Sequence, residues 1–155
     1  PGSEEYLDSE KYQLRHWNLA REDSLSGFIA QLNRIRRENP ALHSDAGLRF
    51  FPTDNEMLIA YAKRSEAGNP RSENVILGVV NLDPKFPQSG WLELDLAWLG
   101  LEPAQRFQVD DLLSGQSFVW QGARNFVLLD PQQMPVHVLR LHRGLRDERD
   151  SDAFQ

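Results

Sequence analysis

The sequence predicts a mainly β protein, an antiparallel β-sandwich preceded by one amphipathic helix. The first observation is a succession of short apolar segments, separated by turn residues, over the last two-thirds of the chain. Regularly spaced short strands with such turns are typical of a sandwich. The second is the stretch Asn74 to Asp83, NVILGVVNLD, whose β-branched residues without helical period predict a strand buried on both faces. The third is a single segment with helical spacing, Asp23 to Asn39.

The helix predicted from Asp23 to Asn39 has apolar residues at the spacing of one helix face. These residues are Leu25, Phe28, Ile29, Leu32 and Ile35. Asp23 or Ser24 is expected to cap the helix, and Pro40 to end it. The opposite side is assigned to polar residues, namely Gln31, Arg34, Arg37 and Glu38. The apolar stripe is expected to pack on the sheet, or on a barrel that lies outside this chain.

Eight short strands are predicted after the connector that follows the helix. They are Leu48–Phe51, Met57–Lys63, Asn74–Asp83, Trp91–Leu96, Phe107–Leu113, Ser117–Trp120, Asn125–Leu129 and Val136–His142. In the fourth strand, leucines alternate with acidic residues, which predicts one buried and one exposed face. The turn at Ser114 and Gly115 predicts a tight hairpin. Gly78, in the middle of the buried strand, indicates a close approach by a neighbouring side chain or backbone.

The composition excludes several classes of function. The chain has 155 residues, which fits one domain or one domain with an appendage. Its net charge of −6 argues against nucleic acid as a partner. It contains no cysteine, so a disulfide framework and a thiolate metal site are excluded. No segment has the length and apolarity of a transmembrane helix and no signal peptide opens the chain, so we expect a cytoplasmic protein without membrane contact.

Three parts are expected along the chain. Residues 1–45 form a terminal segment and the helix, residues 46–143 the sandwich domain, and residues 144–155 a charged tail that is expected to be disordered. The first part carries apolar residues that no local element would hold, such as Tyr6, Leu14 and Trp17. The chain is therefore expected to be a piece of something larger.

No complete catalytic constellation is found in the sequence. The acidic run at residues 4–10 lacks the shielded pocket that a pair of glycoside-cleaving carboxylates needs. The four histidines show no metal-ligand spacing, and His137 and His142 are expected on opposite faces of the last strand. We therefore expect no catalytic residue, no metal and no cofactor in this chain.

Two further features are open to more than one interpretation. Trp91, Phe118, Trp120 and Phe126 fit a sugar-stacking platform of a carbohydrate-binding module, but their alternation with aliphatic residues favours packing on the sheet. Lys11 and Tyr12 are adjacent in SEKY, and an ammonium beside a phenol can bind neighbouring sugar hydroxyls. An exposed, solvated pair is the alternative.

Several segments together carry a resemblance to a known family. They are EEYLDSEKYQLRHWNL, RIRRENPAL, DNEMLIAYAKR, VVNLDP, QSGWLEL, FQVDDLLSG, WQGARNFVLLDP and PVHVLRL. The chain resembles, over about residues 1–142, the end of the catalytic barrel and the C-terminal β-domain of the α-amylase superfamily. The resemblance is to its bacterial maltosyltransferases, which extend α-1,4-glucan with maltose 1-phosphate.

The resemblance implies how the chain would contribute to such an enzyme. The helix would be the last element of a (β/α)₈ barrel, which needs about 250 residues and cannot fit in this chain. The family's catalytic carboxylates match no position here. The lysine and tyrosine of the family's SEKY motif correspond to Lys11 and Tyr12, which implies contacts with the maltosyl donor. The implied partners are α-glucan, maltose 1-phosphate and the missing barrel, and a homodimeric parent is possible.

Two alternatives to the maltosyltransferase remain. The sandwich could be an accessory carbohydrate-binding module, which a coplanar, exposed aromatic pair would favour. The chain could also end another enzyme of the superfamily, a hydrolase or a trehalose synthase.

Overall fold

The computed structural model describes residues 22–65 and 74–145. Within these residues, two helices, a 3₁₀ turn and eight strands form in the following order. They are α1 (Glu22–Glu38), the 3₁₀ turn (Pro40–His43), β1 (Leu48–Phe51), β2 (Leu58–Arg64), β3 (Val75–Asn81), β4 (Gln88–Glu93), α2 (Leu96–Leu99), β5 (Arg106–Asp111), β6 (Ser117–Gln121), β7 (Arg124–Leu129) and β8 (Val136–His142). The eight predicted strands are all present. The fourth is displaced, because Asp95 caps α2 by accepting a hydrogen bond from the Trp98 N–H, so the chain turns into a helix where a strand was expected.

The strands form two antiparallel sheets that face each other across one core. The larger sheet has the order β1-β2-β3-β8-β5-β6, and the smaller pairs β4 with β7. Leu92 and Val127 of the small sheet belong to the same buried cluster as Leu77 and Leu139 of the large one. The prediction of a mainly β, antiparallel sandwich preceded by an amphipathic helix is confirmed.

The buried strand β3 lies inside the large sheet, between β2 and β8, as predicted. Val75, Leu77 and Val79 point into the core and are at most 2% exposed. Ile76, on the opposite face, is also only 1% exposed. Burial of each such side chain stabilises the fold by about 1.5–3 kcal/mol, so β3 is a main contributor to the core.

Helix α1 has the predicted extent, but only part of the predicted apolar face packs on the sheet, since Ile35 is buried and Phe28 half-buried. It begins at Glu22, so Asp23 and Ser24 lie within it and neither is the cap. Gln31, assigned to the polar side, is buried, whereas the predicted packing residues Leu25, Ile29 and Leu32 are 36–48% exposed. The reason is that the side-chain amide of Gln31 donates to the carbonyl oxygens of Leu112 and Leu113, at 3.0 and 3.3 Å, just beyond β5.

The other end of α1 is fixed beside the start of β3. The side-chain amide of Asn74 donates to Asn39 Oδ1, and its oxygen accepts the Ala41 N–H, both at 3.0 Å. Pro40 opens the 3₁₀ turn at this point, so the helix stops where predicted. Its anchors lie at β5 and β3, with β8 between them. The inward face of the sheet is filled by the core, and α1 therefore crosses the outward face.

The three predicted parts of the chain, with their boundaries at residues 45 and 143, stay predictions, because residues 1–21, 66–73 and 146–155 lie outside the description. Neither helix in the described ranges has the length and apolarity needed to cross a lipid bilayer.

Candidate functional site

Lys11 and Tyr12, the predicted donor-binding residues, lie outside the described residues, as do His16 and the acidic run at residues 4–10. Their roles stay predictions. The described part of the chain offers three other places where polar or apolar groups converge. These are a buried histidine–aspartate pair, a partly exposed apolar face of α1 and a surface cleft.

His137 is a structural residue of the core. Its Nδ1 lies 2.9 Å from Oδ2 of Asp111, and both side chains are at most 8% exposed. Asp111 also accepts hydrogen bonds from the Leu113 N–H and the Ser114 hydroxyl, both at 3.0 Å. The Phe118 ring packs edge-on against the imidazole, with the ring centroids 5.7 Å apart. These bonds hold the β5–β6 hairpin turn, which has the predicted position.

His142 lies on the opposite face of β8 from His137, as predicted. Its Nε2 is 2.5 Å from Asp110 Oδ2. Burial opposes ionisation of Asp110, but hydrogen bonds from His142, Ser117 and Gln108 outweigh it and lower the pKa of the carboxyl group to about 2. Within the described ranges, no cluster of three or more His, Cys, Asp or Glu residues could hold a metal ion.

The four aromatic residues considered for sugar stacking divide into two pairs. Trp120 is buried and packs edge-on against Phe107, and Phe118 lies against the core. Trp91 and Phe126 face each other across β4 and β7 and are 42% and 40% exposed. Their ring centroids are 5.5 Å apart, and the ring planes are inclined at 62°. The pair is exposed but not coplanar.

Trp91 and Phe126 line an open cleft of about 570 Å³ on the outer face of the small sheet. The loop between β1 and β2 forms its other wall, with Asp54, Asn55 and Glu56. The sequence marked this loop only as a turn, because its placement beside β4 depends on pairing between segments far apart in the chain. Gly90 lies inside β4 but before the predicted strand Trp91–Leu96, so the close approach that a strand glycine indicates had no signal in the sequence.

An open apolar face on α1 is the third feature. An α-helix turns by about 100° per residue, so Gln31 and Ile35 share the side that meets the sheet, while Leu25, Ile29 and Leu32 lie beside it. The outward face of the large sheet adds further exposed apolar groups, Leu48, Phe50 and Ile59. Exposed apolar groups on one side of a domain make this side a candidate binding surface for a protein, a membrane or another ligand.

The described residues define an antiparallel β-sandwich domain with a partly exposed apolar helix face and a surface cleft. The sequence profile of the family described as "GLGE, C-terminal" matches residues 50–141, more than half of the chain. The chain therefore belongs to this family.

Curated relatives match nearly the whole chain. An alpha-1,4-glucan:maltose-1-phosphate maltosyltransferase of Chlorobaculum tepidum is 42% identical over 92% of this chain and 22% of the relative. A protein of the same name from Myxococcus xanthus is 41% identical over 100% of this chain and 23% of the relative. One from Streptomyces coelicolor is 44% identical over 92% and 21%. The chain thus spans between a fifth and a quarter of the length of these relatives.

Two solved structures share the fold. A maltogenic alpha-amylase, AmyB from Thermotoga neapolitana, superposes on 74% of this chain and 24% of its own, with a TM-score of 0.54 and 15% identity. An alpha-amylase from Anoxybacillus superposes on 81% and 24%, with a TM-score of 0.50 and 18% identity. These likenesses concern the fold alone.

Proposed function

We propose that the chain is the C-terminal part of an α-1,4-glucan:maltose-1-phosphate maltosyltransferase. Such an enzyme transfers maltosyl units from maltose 1-phosphate to the non-reducing end of α-1,4-glucan. The support is that relatives of this name are 41–44% identical over at least 92% of the chain. More than three-quarters of each relative lies outside the match, which leaves room for a barrel of about 250 residues.

The open stripe on α1 is the structural observation that carries the role of this part. Leu25, Ile29 and Leu32 remain 36–48% exposed although the helix is already fixed to the sheet by Gln31 and Asn39. Burial of each fully exposed side chain of this kind is worth about 1.5–3 kcal/mol, so docking the stripe would stabilise a larger assembly. The proposed occupant is the catalytic barrel, which the sandwich supports.

The chain supplies no chemical step in this proposal. The resemblance implies a retaining reaction, in which a covalent maltosyl-enzyme forms with loss of phosphate and a glucan 4-hydroxyl then attacks it. The carboxylates for that chemistry belong to the barrel. Lys11 and Tyr12 would contact hydroxyl groups of the donor. Because a sugar phosphate is charged and does not cross membranes unaided, the proposed location is the cytoplasm.

The reaction is tested with the full-length protein, maltose 1-phosphate and maltohexaose. Phosphate release together with products two glucose units longer is expected. Release of free maltose without elongation would instead identify a hydrolase, and trehalose formation from maltose a trehalose synthase. The isolated chain, assayed in parallel, is expected to be inactive. Sedimentation of the full-length protein decides whether the parent is a homodimer.

The donor-site role is tested by Lys11→Ala in the full-length protein. A charged donor bonded to a neutral hydroxyl in a desolvated pocket is worth about 1.5–3 kcal/mol. The variant should therefore lower kcat/KM for maltose 1-phosphate by about tenfold to a hundredfold, with an unchanged melting curve. Unchanged kinetics, or a loss of activity that follows a loss of folding, would contradict the assignment.

A further inference from the structure

We propose that the cleft between Trp91 and the β1–β2 loop is a surface site for α-1,4-glucan, separate from any donor or acceptor position on the barrel. The choice of glucan rests on the proposed function, but the cleft itself does not. Its walls carry the two kinds of group that bind sugars. Exposed aromatic rings stack on the C–H faces of pyranoses, and carboxylates accept hydrogen bonds from hydroxyl groups.

The loop wall is held rigidly against β4. Asp54 Oδ1 accepts the Trp91 N–H at 2.8 Å, and the Asp54 N–H donates to the Trp91 carbonyl at 3.2 Å. The amide of Asn55 donates to the Ser89 carbonyl and to Gln88 Oε1, both at 2.9 Å. Such a site binds without first having to order a loop, so less of the binding free energy is lost.

Gly90 makes this close packing possible. A Cβ atom at position 90 would lie 2.6 Å from Asp54 Oδ1 and 3.2 Å from the Cβ of Asn55. A side chain at this position would displace the Asp54 carboxylate, which holds the loop to β4 by accepting the backbone N–H of Trp91. The absence of a side chain at Gly90 therefore lets the loop approach the strand.

The angle between the two aromatic rings bears on whether a β-1,4-linked or an α-1,4-linked glucan fits the cleft. In a β-1,4-linked chain the sugar rings form a flat ribbon, which matches coplanar aromatic rings. An α-1,4-linked chain curves, so neighbouring pyranose planes are inclined to each other. The planes of Trp91 and Phe126 are inclined at 62° with their centroids 5.5 Å apart, so the pair is not a coplanar platform and a flat chain cannot stack on both rings.

The polar groups of the cleft favour a neutral, hydroxyl-rich ligand. Asp54 and Glu56 lie on the loop wall, and Glu93 lies beside Trp91 in β4. The cation at this face, Arg124, is already 2.9 Å from Glu93 Oε1 and rests on the Trp91 ring, 5.3 Å from its centroid. Excess negative charge repels phosphate-bearing polymers, whereas carboxylates accept hydrogen bonds from sugar hydroxyls.

The position of the cleft agrees with the proposed docking through α1. Trp91 and Phe126 lie on the outer face of the small sheet, while α1 crosses the outer face of the large sheet. The two faces are on opposite sides of the sandwich. A barrel bound to the helix side would leave the cleft open to a glucan polymer.

Calorimetric titration of the 155-residue chain with maltoheptaose tests the site, with cellohexaose as the β-linked control. We expect saturable binding of maltoheptaose, with cellohexaose at least about tenfold weaker. Trp91→Ala should weaken maltoheptaose binding by about tenfold or more, as truncation of a central aromatic contact does. Phe50→Ala is the matched control, because Phe50 is 64% exposed on the opposite side. It should bind as the wild type does.

Binding in the wild-type chain is also followed through the Trp91 indole N–H resonance, so the test does not depend on how well a variant folds. A ligand-dependent shift of this resonance supports the proposal. Absence of maltoheptaose binding at about 10 mM, or equal weakening by Trp91→Ala and Phe50→Ala, would overturn it. The titration contains no maltose 1-phosphate and does not measure the transfer reaction. A lack of maltoheptaose binding would therefore contradict the surface site and not the proposed function, which is tested separately by phosphate release.

Discussion

Gly78 of β3 lies directly beneath the ring of Tyr61 of β2, its cross-strand partner. A Cβ atom built on Gly78 would lie 2.3 Å from Cζ of Tyr61 and 2.7 Å from its hydroxyl oxygen. The tyrosine ring therefore occupies the space that a side chain on β3 would need. This is the close approach that the glycine predicted from the sequence.

Gly78→Ala is expected to destabilise the chain by about 1–3 kcal/mol, because the added methyl group has to displace the Tyr61 ring. Alanine restricts the unfolded chain more than glycine, so without the ring the change would be favourable by about 0.4–1 kcal/mol. Urea denaturation measures both effects. In a Tyr61→Ala background the penalty of Gly78→Ala should vanish, and a penalty that persists there would contradict the packing.

Asp111→Ala should destabilise the chain by about 2–5 kcal/mol. It leaves His137, the Leu113 N–H and the Ser114 hydroxyl without their acceptor in a buried place. Ser114→Ala removes one of these bonds together with its donor and also the acceptor of the Gln116 N–H, and should cost less, about 1–2 kcal/mol. Equal effects of the two variants in urea denaturation would show that the carboxylate does not organise this turn.

Much of the fold could be predicted because it follows from local pattern. Local secondary structure is determined by residues that are close in sequence. Examples are the two-faced apolar run of β3, the turn residues between strands and Pro40 after α1. The orientation of α1 could not be predicted in this way. It depends on two carbonyl groups beyond β5, more than eighty residues from Gln31. An amide that satisfies buried acceptors overrode a preference based on hydrophobicity alone.

The candidate site was less accessible to sequence reasoning than the fold. Trp91 and Phe126 were recognised as aromatic residues on strands, but their exposure depends on which face of β4 and β7 meets the core. Asp54 and Asn55 fall between the first two predicted strands, where the sequence predicts only a turn. Their contact with β4 depends on the Thr53–Leu92 bridge and on Gly90, which join parts of the chain that are distant in sequence.

The orientation of α1 predicts that replacing two isoleucines of this helix by alanine lowers the stability of the chain by different amounts. Ile35→Ala should destabilise the chain by about 2–4 kcal/mol, because Ile35 is 6% exposed. Ile29→Ala should change stability by about 0.5 kcal/mol or less, because Ile29 is 48% exposed. Urea denaturation of both variants decides the matter. The reverse order would mean that Ile29, and not Ile35, packs against the sheet.

Asp110 predicts how stability falls in acid. Its pKa is lowered from 3.8 to about 2 in the folded chain, so its ionised form stabilises the fold above pH 3.8 and this contribution is lost as the pH falls towards 2. Urea midpoints across this window should fall more steeply for the wild type than for Asp110→Asn. Ser117→Ala, which removes one of the three hydrogen bonds, should give an intermediate slope. Parallel curves for all three proteins would contradict the assignment.

The proposed docking of α1 on the catalytic part is tested most directly by reconstitution. The remainder of the full-length protein is mixed with the 155-residue chain, and phosphate release from maltose 1-phosphate is measured with maltohexaose as acceptor. Activity is expected only when the chain is present. The double variant Ile29→Asp/Leu32→Asp, which places charges on the open stripe, should abolish the reconstitution. Ala30→Asp/Arg34→Gln, which changes the net charge by the same amount at exposed positions on the side of α1 away from the stripe, should reconstitute as the wild type does. Equal activity with both double variants, or activity without the chain, would contradict the account.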